Sequence, residues 1–249
     1  MLSFSIITCA WNSEPFIAQC IDSVSSQTYR QVEQVFVDGG STDGTLDRIR
    51  SVGGSSQWVT DVRGGISAAM NVGAKLAQGD YIAHLHGDDY FRHADVLENV
   101  SQRLQETGAD WLFARIVSDI DGNQVYPDWK MPPYSRSRLL SRNFIAHPAV
   151  FIRRELFMKL GGFDTSLRYA MDYDLWLRAS EVRAPVYLDE FVTAFRRHAG
   201  SASTANALVA FEEDHEVRKR YISSSTSVGY HNAVHVWRRF RHFGKIGLL

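Results

Sequence analysis

Two adjacent carboxylates, Asp88 and Asp89, close an apolar stretch, and Tyr81–Phe91 reads YIAHLHGDDYF. Acids at the end of a buried strand cost free energy unless something neutralises them. A divalent cation carrying a phosphorylated ligand does so through hard oxygen ligands. The pair is therefore a candidate metal corner of a nucleotide-dependent transferase. The competing reading is a Gly-Asp-Asp turn that simply ends the strand. His84 and His86 share a strand face across Leu85, but two histidines and two acids at this spacing do not compose a zinc site.

These acids need a frame, and the flanking sequence supplies one. Phe4–Ala10 is an apolar, β-branched run, as in a buried parallel strand. Ser13 offers an N-cap with Pro15 in the first turn, and Phe16, Ile17, Cys20, Ile21 and Val24 follow at helical spacing. Val35–Asp38 reads as a second strand, with a turn at Gly39–Thr42 and a helix from Thr45 to Ile49. Trp58–Val62 is predicted as a third strand, Ile66–Leu76 as a helix, Tyr81–Leu85 as a fourth strand and Val96–Leu104 as a helix. This alternation predicts a largely parallel sheet with right-handed crossovers, whose ligands sit beyond the carboxyl ends of the strands. Three polar clusters fall at those ends: Cys9–Asn12, Asp38–Asp43 and Gly87–Asp89. Their convergence from separate strands says more than any one of them.

After about Asp110 the character changes. Pro127, Pro132 and Pro133 interrupt regular structure, while Trp111, Tyr126, Trp129 and Tyr134 add aromatics, as in a substrate-facing half built on short strands. His147–Ile152 is predicted as a strand, Arg154–Leu160 as a helix ending at Gly161-Gly162, and Asp172–Ala179 as another helix. From Arg218 onward there are seven Lys/Arg and no Asp or Glu. Val234–Phe243 interleaves basic and aromatic residues, as in a helix lying on an anionic membrane surface. The alternative is a solvated helix that packs Trp237 and Phe240 on the domain.

The bulk properties exclude several classes. With 249 residues, 45% hydrophobic and 22% charged, the composition is that of an ordinary globular chain. A net charge of -1 argues against a nucleic-acid partner. The two cysteines, Cys9 and Cys20, belong to no CxxC or Cys/His cluster and suit a reducing compartment. No leader-like segment or membrane-spanning run is expected, so a cytoplasmic location is predicted, with peripheral contact at the inner membrane face through the basic segment.

Four stretches occur in a specific order: FSIITCAWN at the start, VFVDGGSTDGT at Val35–Thr45, GGISAAMNVGAKLAQGDYIAHLHGDD at Gly64–Asp89, and HPAVFIRRELFMKLGGFDTSLRYAMDYDLWLR at His147–Arg178. With these the chain resembles an inverting family 2 glycosyltransferase of the bacterial surface-polysaccharide type. The resemblance implies an α/β GT-A fold: a Rossmann-like, mostly parallel sheet flanked by helices, with a small acceptor-side sheet and C-terminal helices. It divides the chain into a nucleotide-sugar-binding half (1–110), an acceptor-binding and catalytic-base half (111–200) and a basic helical extension (201–249).

The resemblance implies Mn²⁺ or Mg²⁺ as cofactor, a nucleoside diphosphate sugar as donor, and a glycan or polyprenyl-linked acceptor. By matching position, Asp89 is the metal ligand, Asp88 contacts ribose or metal, and His198 approaches the metal or pyrophosphate. Asp38 matches a nucleoside-pocket acid, although Gly39 stands where many relatives carry a second Asp; the alternative is an Asp38 that caps its turn. Ala10 and Asn12 would approach the nucleotide, or Asn12 would only shape the turn. Arg63 and Asn71 fall in a segment that in relatives runs near the sugar diphosphate; Arg63 would bind phosphate oxygens bidentately, or is a surface arginine. Asp172 matches the base that deprotonates the acceptor hydroxyl, against the reading of a helix N-cap. Asp174 is the second candidate, and His147 a possible acceptor contact or a satisfied core histidine.

The Gln-x-x-Arg-Trp motif of processive synthases is absent from the sequence, so single-sugar addition is expected. Two other classes remain: a nucleotidyltransferase acting on a sugar phosphate, disfavoured by the lack of a glycine-rich triphosphate loop, and a non-catalytic nucleotide-sugar-binding protein, which has no need of Asp172.

Overall fold

The computed structural model describes residues 1–53, 56–198, 206–222 and 225–243. Strands β1 (Phe4–Ala10), β2 (Val32–Asp38), β3 (Gln57–Val59) and β4 (Tyr81–His84) run parallel in the order β3-β2-β1-β4. β1 is buried along its length because a helix covers each face. Phe4 and Ile6 pack with Cys20 and Val24 of α1 (Glu14–Ser25). Ile7 and Cys9, one register off, pack with Ala69, Met70 and Ala74 of α3 (Gly65–Leu76). That two-residue alternation with apolar residues on both faces is what a central parallel strand requires. Gly73 brings α3 so close that an added Cβ would lie 2.4 Å from Ile7 Cγ2.

The start of α1 is capped across space rather than locally. Ser13 was expected to cap α1, but its side chain makes no cap bond. Asp43 does so instead: its Oδ2 accepts the Glu14 amide at 3.1 Å, while its Oδ1 accepts the Thr45 amide at the start of α2 (Thr45–Arg50) at 3.0 Å. One carboxylate thus serves two helix N-termini, where negative charge is favourable.

The acceptor-side strands of the second half adjoin these four. Among the described residues β5 (Tyr90–Phe91), β6 (Trp111–Ile120), β7 (Asn123–Val125), β8 (Val150–Arg153) and β9 (Val186–Arg197) continue the same sheet, in the order β4-β8-β6-β9-β5, with β7 paired to β6. β8 runs antiparallel to β4 and β6, and β9 runs parallel to β6. His147–Ala149 forms a single 3-10 turn rather than the start of a strand; Pro148 lacks the amide a ladder needs. Trp58–Val62 stays extended only to Val59, since Asp61 takes φ 60.

Helices α4 (Val96–Thr107), α5 (Arg136–Ser141), α6 (Arg154–Lys159) and α7 (Met171–Val182) complete the flanking layers. The chain then ends in α8 (Ala207–Arg220) and α9 (Ser225–Phe243). On α9, Val236, Trp237 and Phe240 are 63%, 57% and 79% exposed, so the alternative reading, in which Trp237 and Phe240 pack onto the domain, is not realised. The basic stretch beyond Phe243, including Lys245, lies outside the described residues. No described helix is long and apolar enough to cross a membrane.

Candidate active site

The carboxyl ends of β1, β2 and β4 come together by register: Ala10 pairs with Asp38, and Ile7 pairs with His84. Asp38 is buried, and its Oδ1 accepts the Gly40 and Ser41 amides, each at 2.9 Å, while its Oδ2 accepts the Ser41 hydroxyl. The turn-capping alternative for Asp38 is therefore realised. Asn12, at φ 49, has the left-handed backbone that Asn tolerates. Its amide donates to Ser41 Oγ at 2.8 Å and its Oδ1 accepts the Thr42 amide at 2.9 Å, so it ties the β1 and β2 loops together. The Ala10 carbonyl accepts the Gly39 amide at 2.9 Å. Between these loops stands Trp11, 67% exposed, with Gly39 against its ring edge.

At the end of β4 the two acids part company. Asp89 is 1% exposed; its Oδ1 accepts the Arg196 amide at 2.9 Å and its Oδ2 has no partner. Burial, then the adjacent Asp88, push its carboxyl well above the ordinary range. Asp88 keeps 28% of its side chain exposed, and its Oδ2 lies 3.0 Å from His198 Nε2. Arg196 locks this corner. Its guanidinium donates to the Asp88 carbonyl at 2.9 Å and to Gln19 Oε1, lies over Phe16 at 4.6 Å, and faces Asp119 at 3.6 Å. Both Arg196 and His198 arrive with β9 and the residue beyond it, from the far side of the sheet.

A row of rings joins this corner to α7. His147 lies 5.4 Å from His84, 5.5 Å from His86 and 6.0 Å from Trp176, centroid to centroid. His84 Nε2, His86 Nδ1 and His147 Nε2 are buried without partners. Burial holds all three imidazoles below their usual titration range, His84 at about 3, so they stand neutral near pH 7. His147 as a residue is half-buried, with its Nε2 enclosed and unpartnered among these rings.

Helix α7 carries the candidate base. Ala170 holds the N-cap position, so Asp172 lies within the first turn and is not the cap. Its Oδ1 accepts the Tyr173 amide at 2.6 Å. The residue is partly exposed, yet protein surrounds the carboxyl group itself. Burial first, and then Asp214 of α8, raise it to about 7, against the Tyr173 amide and the Asn143 side chain. Asp214 is itself raised to about 6 by burial, with Arg218 opposing. Asp174, the second candidate, is structural: Arg178, Tyr221 and Arg220 engage it from 2.7 to 3.6 Å.

Two predicted ligand contacts have partners within the fold. The Asn71 carboxamide bonds within the fold, donating to the Phe163 carbonyl and accepting the Phe163 amide, both at 2.9 Å. These two bonds hold the half-buried Asn71 to the loop before α7. Arg63 is exposed, pairs with Asp61 and lies against Gly40 of the Asp38 turn. Trp11, Arg196 and Asp214 were not anticipated. Trp11 carried a legible signal, a large aromatic directly after a buried strand with no helix spacing to bury it.

The comparisons agree with this geometry. The family model described as Glycosyl transferase family 2 matches residues 5–161. A PGL/p-HBAD biosynthesis glycosyltransferase of Mycobacterium bovis is 30% identical over 243 residues, covering 95% of this chain and 90% of the relative. The structure of S. aureus TarS 1-349 in complex with UDP-GlcNAc superposes with a TM-score of 0.74 at 20% identity, covering 97% of this chain and 73% of that one. The mannosyltransferase PcManGT from Pyrobaculum calidifontis, in complex with GDP-Man and Mn2+, gives 0.72 at 18% identity, covering 94% and 70%. The two superpositions show the GT-A fold, and the match across more than half of the sequence shows the family: this chain is a glycosyltransferase and belongs to glycosyl transferase family 2.

Proposed function

We propose that the enzyme is a metal-dependent, inverting transferase that moves one sugar from a nucleoside diphosphate sugar to a hydroxyl of a glycan or lipid-linked acceptor. The observation that carries this reading is the pairing of two unlike acids on one frame. Asp88 stands partly open to solvent beside His198 at the end of β4, while Asp172 is crowded enough for its carboxyl to reach about 7. Such a split suits one group to a cation and the other to a proton.

Asp88 and His198 offer a carboxylate oxygen and an imidazole nitrogen, a donor set that suits Mn²⁺. Among the described residues no cluster of three or more His, Cys, Asp and Glu could hold an ion by itself; two protein ligands completed by substrate phosphate oxygens is the arrangement expected of a nucleotide-carrying ion. When bound, the ion supplies Lewis-acid stabilisation of the departing diphosphate. The resemblance gave the ion to Asp89; the geometry favours Asp88, with Asp89 beneath it anchoring the Arg196 backbone.

Trp11 offers a face on which a nucleoside base stacks, beside the turn that Asp38 and Asn12 shape. Asp172 takes the proton of the acceptor hydroxyl as its oxygen attacks the anomeric carbon. The bond from that carbon to the diphosphate breaks on the opposite face, which inverts the centre. The UDP-GlcNAc and GDP-Man of the two structural neighbours make UDP- and GDP-sugars the first donors to try. A thermal-shift panel of these with Mn²⁺ is expected to show one donor raising Tm by several degrees, since selective binding stabilises the native state. If no donor shifts Tm with or without metal, the proposal fails.

The exposed Val236, Trp237 and Phe240, with Arg241 over the Trp237 ring at 5.3 Å, further support peripheral contact with an anionic bilayer. The enzyme is expected to sediment with phosphatidylglycerol vesicles, and Trp237→Glu with Phe240→Glu to reduce that at least about fivefold, in line with burial of two aromatic side chains. Equal sedimentation of the double variant removes the membrane contact.

A further inference from the structure

The first turn of a helix carries amides with no partner in the helix, and the N-cap of α7 is Ala170, whose methyl group cannot accept from them. α8 instead gathers the amides of the N-cap residue and of the two residues before it. The carboxylate of Glu213 accepts the Arg168 amide at 3.0 and 3.2 Å, the Tyr169 amide at 2.5 Å and the Ala170 amide at 2.7 Å. Three successive amides directed at one carboxylate make an anion nest, and the helix dipole adds to the attraction. Asp172 sits two residues past Ala170.

We propose that Glu213 is a positioning residue for catalysis: by gathering these three amides it fixes where α7 starts and hence where Asp172 presents its carboxylate to the acceptor. The inference rests on the reading of Asp172 as the base. It adds a function to α8, a helix outside the matched family segment of residues 5–161.

The same helix shows why this contact can be separated from folding. α8 is held to α7 and its approach independently of Glu213. Arg218 Nε donates to Tyr173 Oη at 3.3 Å, Tyr221 Oη donates to Asp174 at 2.7 Å, and Arg220 Nη1 donates to Asp164 at 3.0 Å. Loss of Glu213 should therefore free the Arg168–Ala170 segment while α8 stays docked. The consequence is local: donor binding at the β1, β2 and β4 ends is untouched, and the geometry of proton transfer is degraded. A displacement of about 1 Å at a reacting group costs on the order of 10²-fold in rate.

The test uses Glu213→Ala, Glu213→Gln and Asp172→Asn in the full-length enzyme. Turnover is read as nucleoside diphosphate released from UDP-GlcNAc, UDP-glucose or GDP-mannose with Mn²⁺, and the Arg168–Ala170 amides are followed by hydrogen exchange. Glu213→Ala is expected to lower kcat at least about 30-fold with donor KM within twofold, and to accelerate exchange at those amides. Glu213→Gln keeps one acceptor oxygen at the same reach and should retain an intermediate rate. A kcat for Glu213→Ala within threefold of wild type overturns the inference, as does a change confined to donor KM. If Glu213→Ala does not fold, Glu213→Gln decides alone, and a full rate there overturns the inference. Asp172→Asn separates the two claims: an inactive Asp172→Asn beside an undiminished Glu213→Ala sinks the positioning role only, whereas an active Asp172→Asn sinks the base assignment and the inference with it.

Discussion

Asp172→Asn is expected to lower turnover by about 10²- to 10⁴-fold, the range for loss of a general base, with donor affinity unchanged. The same variant is expected to be more stable than wild type above neutral pH. Both follow from one feature, a carboxyl raised from 3.8 to about 7 by burial and by Asp214. Only the ionised form accepts a proton, so wild-type kcat should climb with pH and level off above about 7. Stability runs the other way. An acid whose pKa is raised on folding favours its neutral form; that advantage is intact below 3.8 and is lost as pH rises through 7. At pH 8 the buried charge costs at most about 4 kcal/mol, three pKa units at roughly 1.4 each. Asparagine carries no charge there, so Tm at pH 8 should rise by several degrees and the gain should vanish near pH 4. A variant that keeps its rate, or that melts lower at both pH values, contradicts the assignment. The groups setting this balance come from three elements: Asp214, Glu213 and Arg218 of α8, Asn143 after α5, and Tyr173 of α7 itself.

The nucleotide half was legible in the sequence because its elements are local and strongly patterned. β1 was predicted residue for residue, and α3 and α4 nearly so, since apolar runs and helical spacing report burial by themselves. β9 was not seen at all. Its sequence VYLDEFVTAFRR mixes acids, arginines and aromatics, and only Val192, Thr193 and Ala194 are buried. What makes it a strand is β6, some 75 residues away, which the local pattern does not report. The β6–β7 hairpin did carry a local signal, Asp121-Gly122 at φ 52 and 83, outweighed by the prolines that follow. The same split governs the site. Asp88, His198 and Asp172 came from motif order, while Arg196, Asp214 and Glu213 act only through contacts that the sheet and α8 create. The Asn71 contact was hidden for the complementary reason: its partner, the Phe163 backbone, is 92 residues distant.

Asp88→Asn is expected to abolish the metal response, and comparison with Asp89→Asn decides which acid holds the ion. The two differ by one position in the chain but not in environment. Asp88 is accessible and faces an imidazole nitrogen 3.0 Å away, so an ion can reach its oxygen and complete its shell with diphosphate and water. Asp89 is enclosed, with one oxygen on the Arg196 amide, and burial favours its neutral form. A neutral carboxyl resembles an amide in shape, so Asp89→Asn should fold and should keep its Mn²⁺-dependent donor affinity within about threefold, the difference one altered hydrogen bond makes. Asp88→Asn replaces a charged oxygen with a weak ligand. Its turnover should fall on the order of 10²-fold or more, a loss of several kcal/mol of charge stabilisation, and Mn²⁺ should no longer raise Tm in the presence of donor. EDTA should reduce the wild type to the Asp88→Asn level and leave that variant unchanged. The reverse pattern, with Asp89→Asn losing the metal response and Asp88→Asn keeping it, would return the ion to Asp89 and require the β4 corner to open when donor binds. If EDTA changes neither variant nor wild type, the diphosphate is stabilised by protein groups alone, and Arg63 beside the Asp38 turn becomes the cation to test.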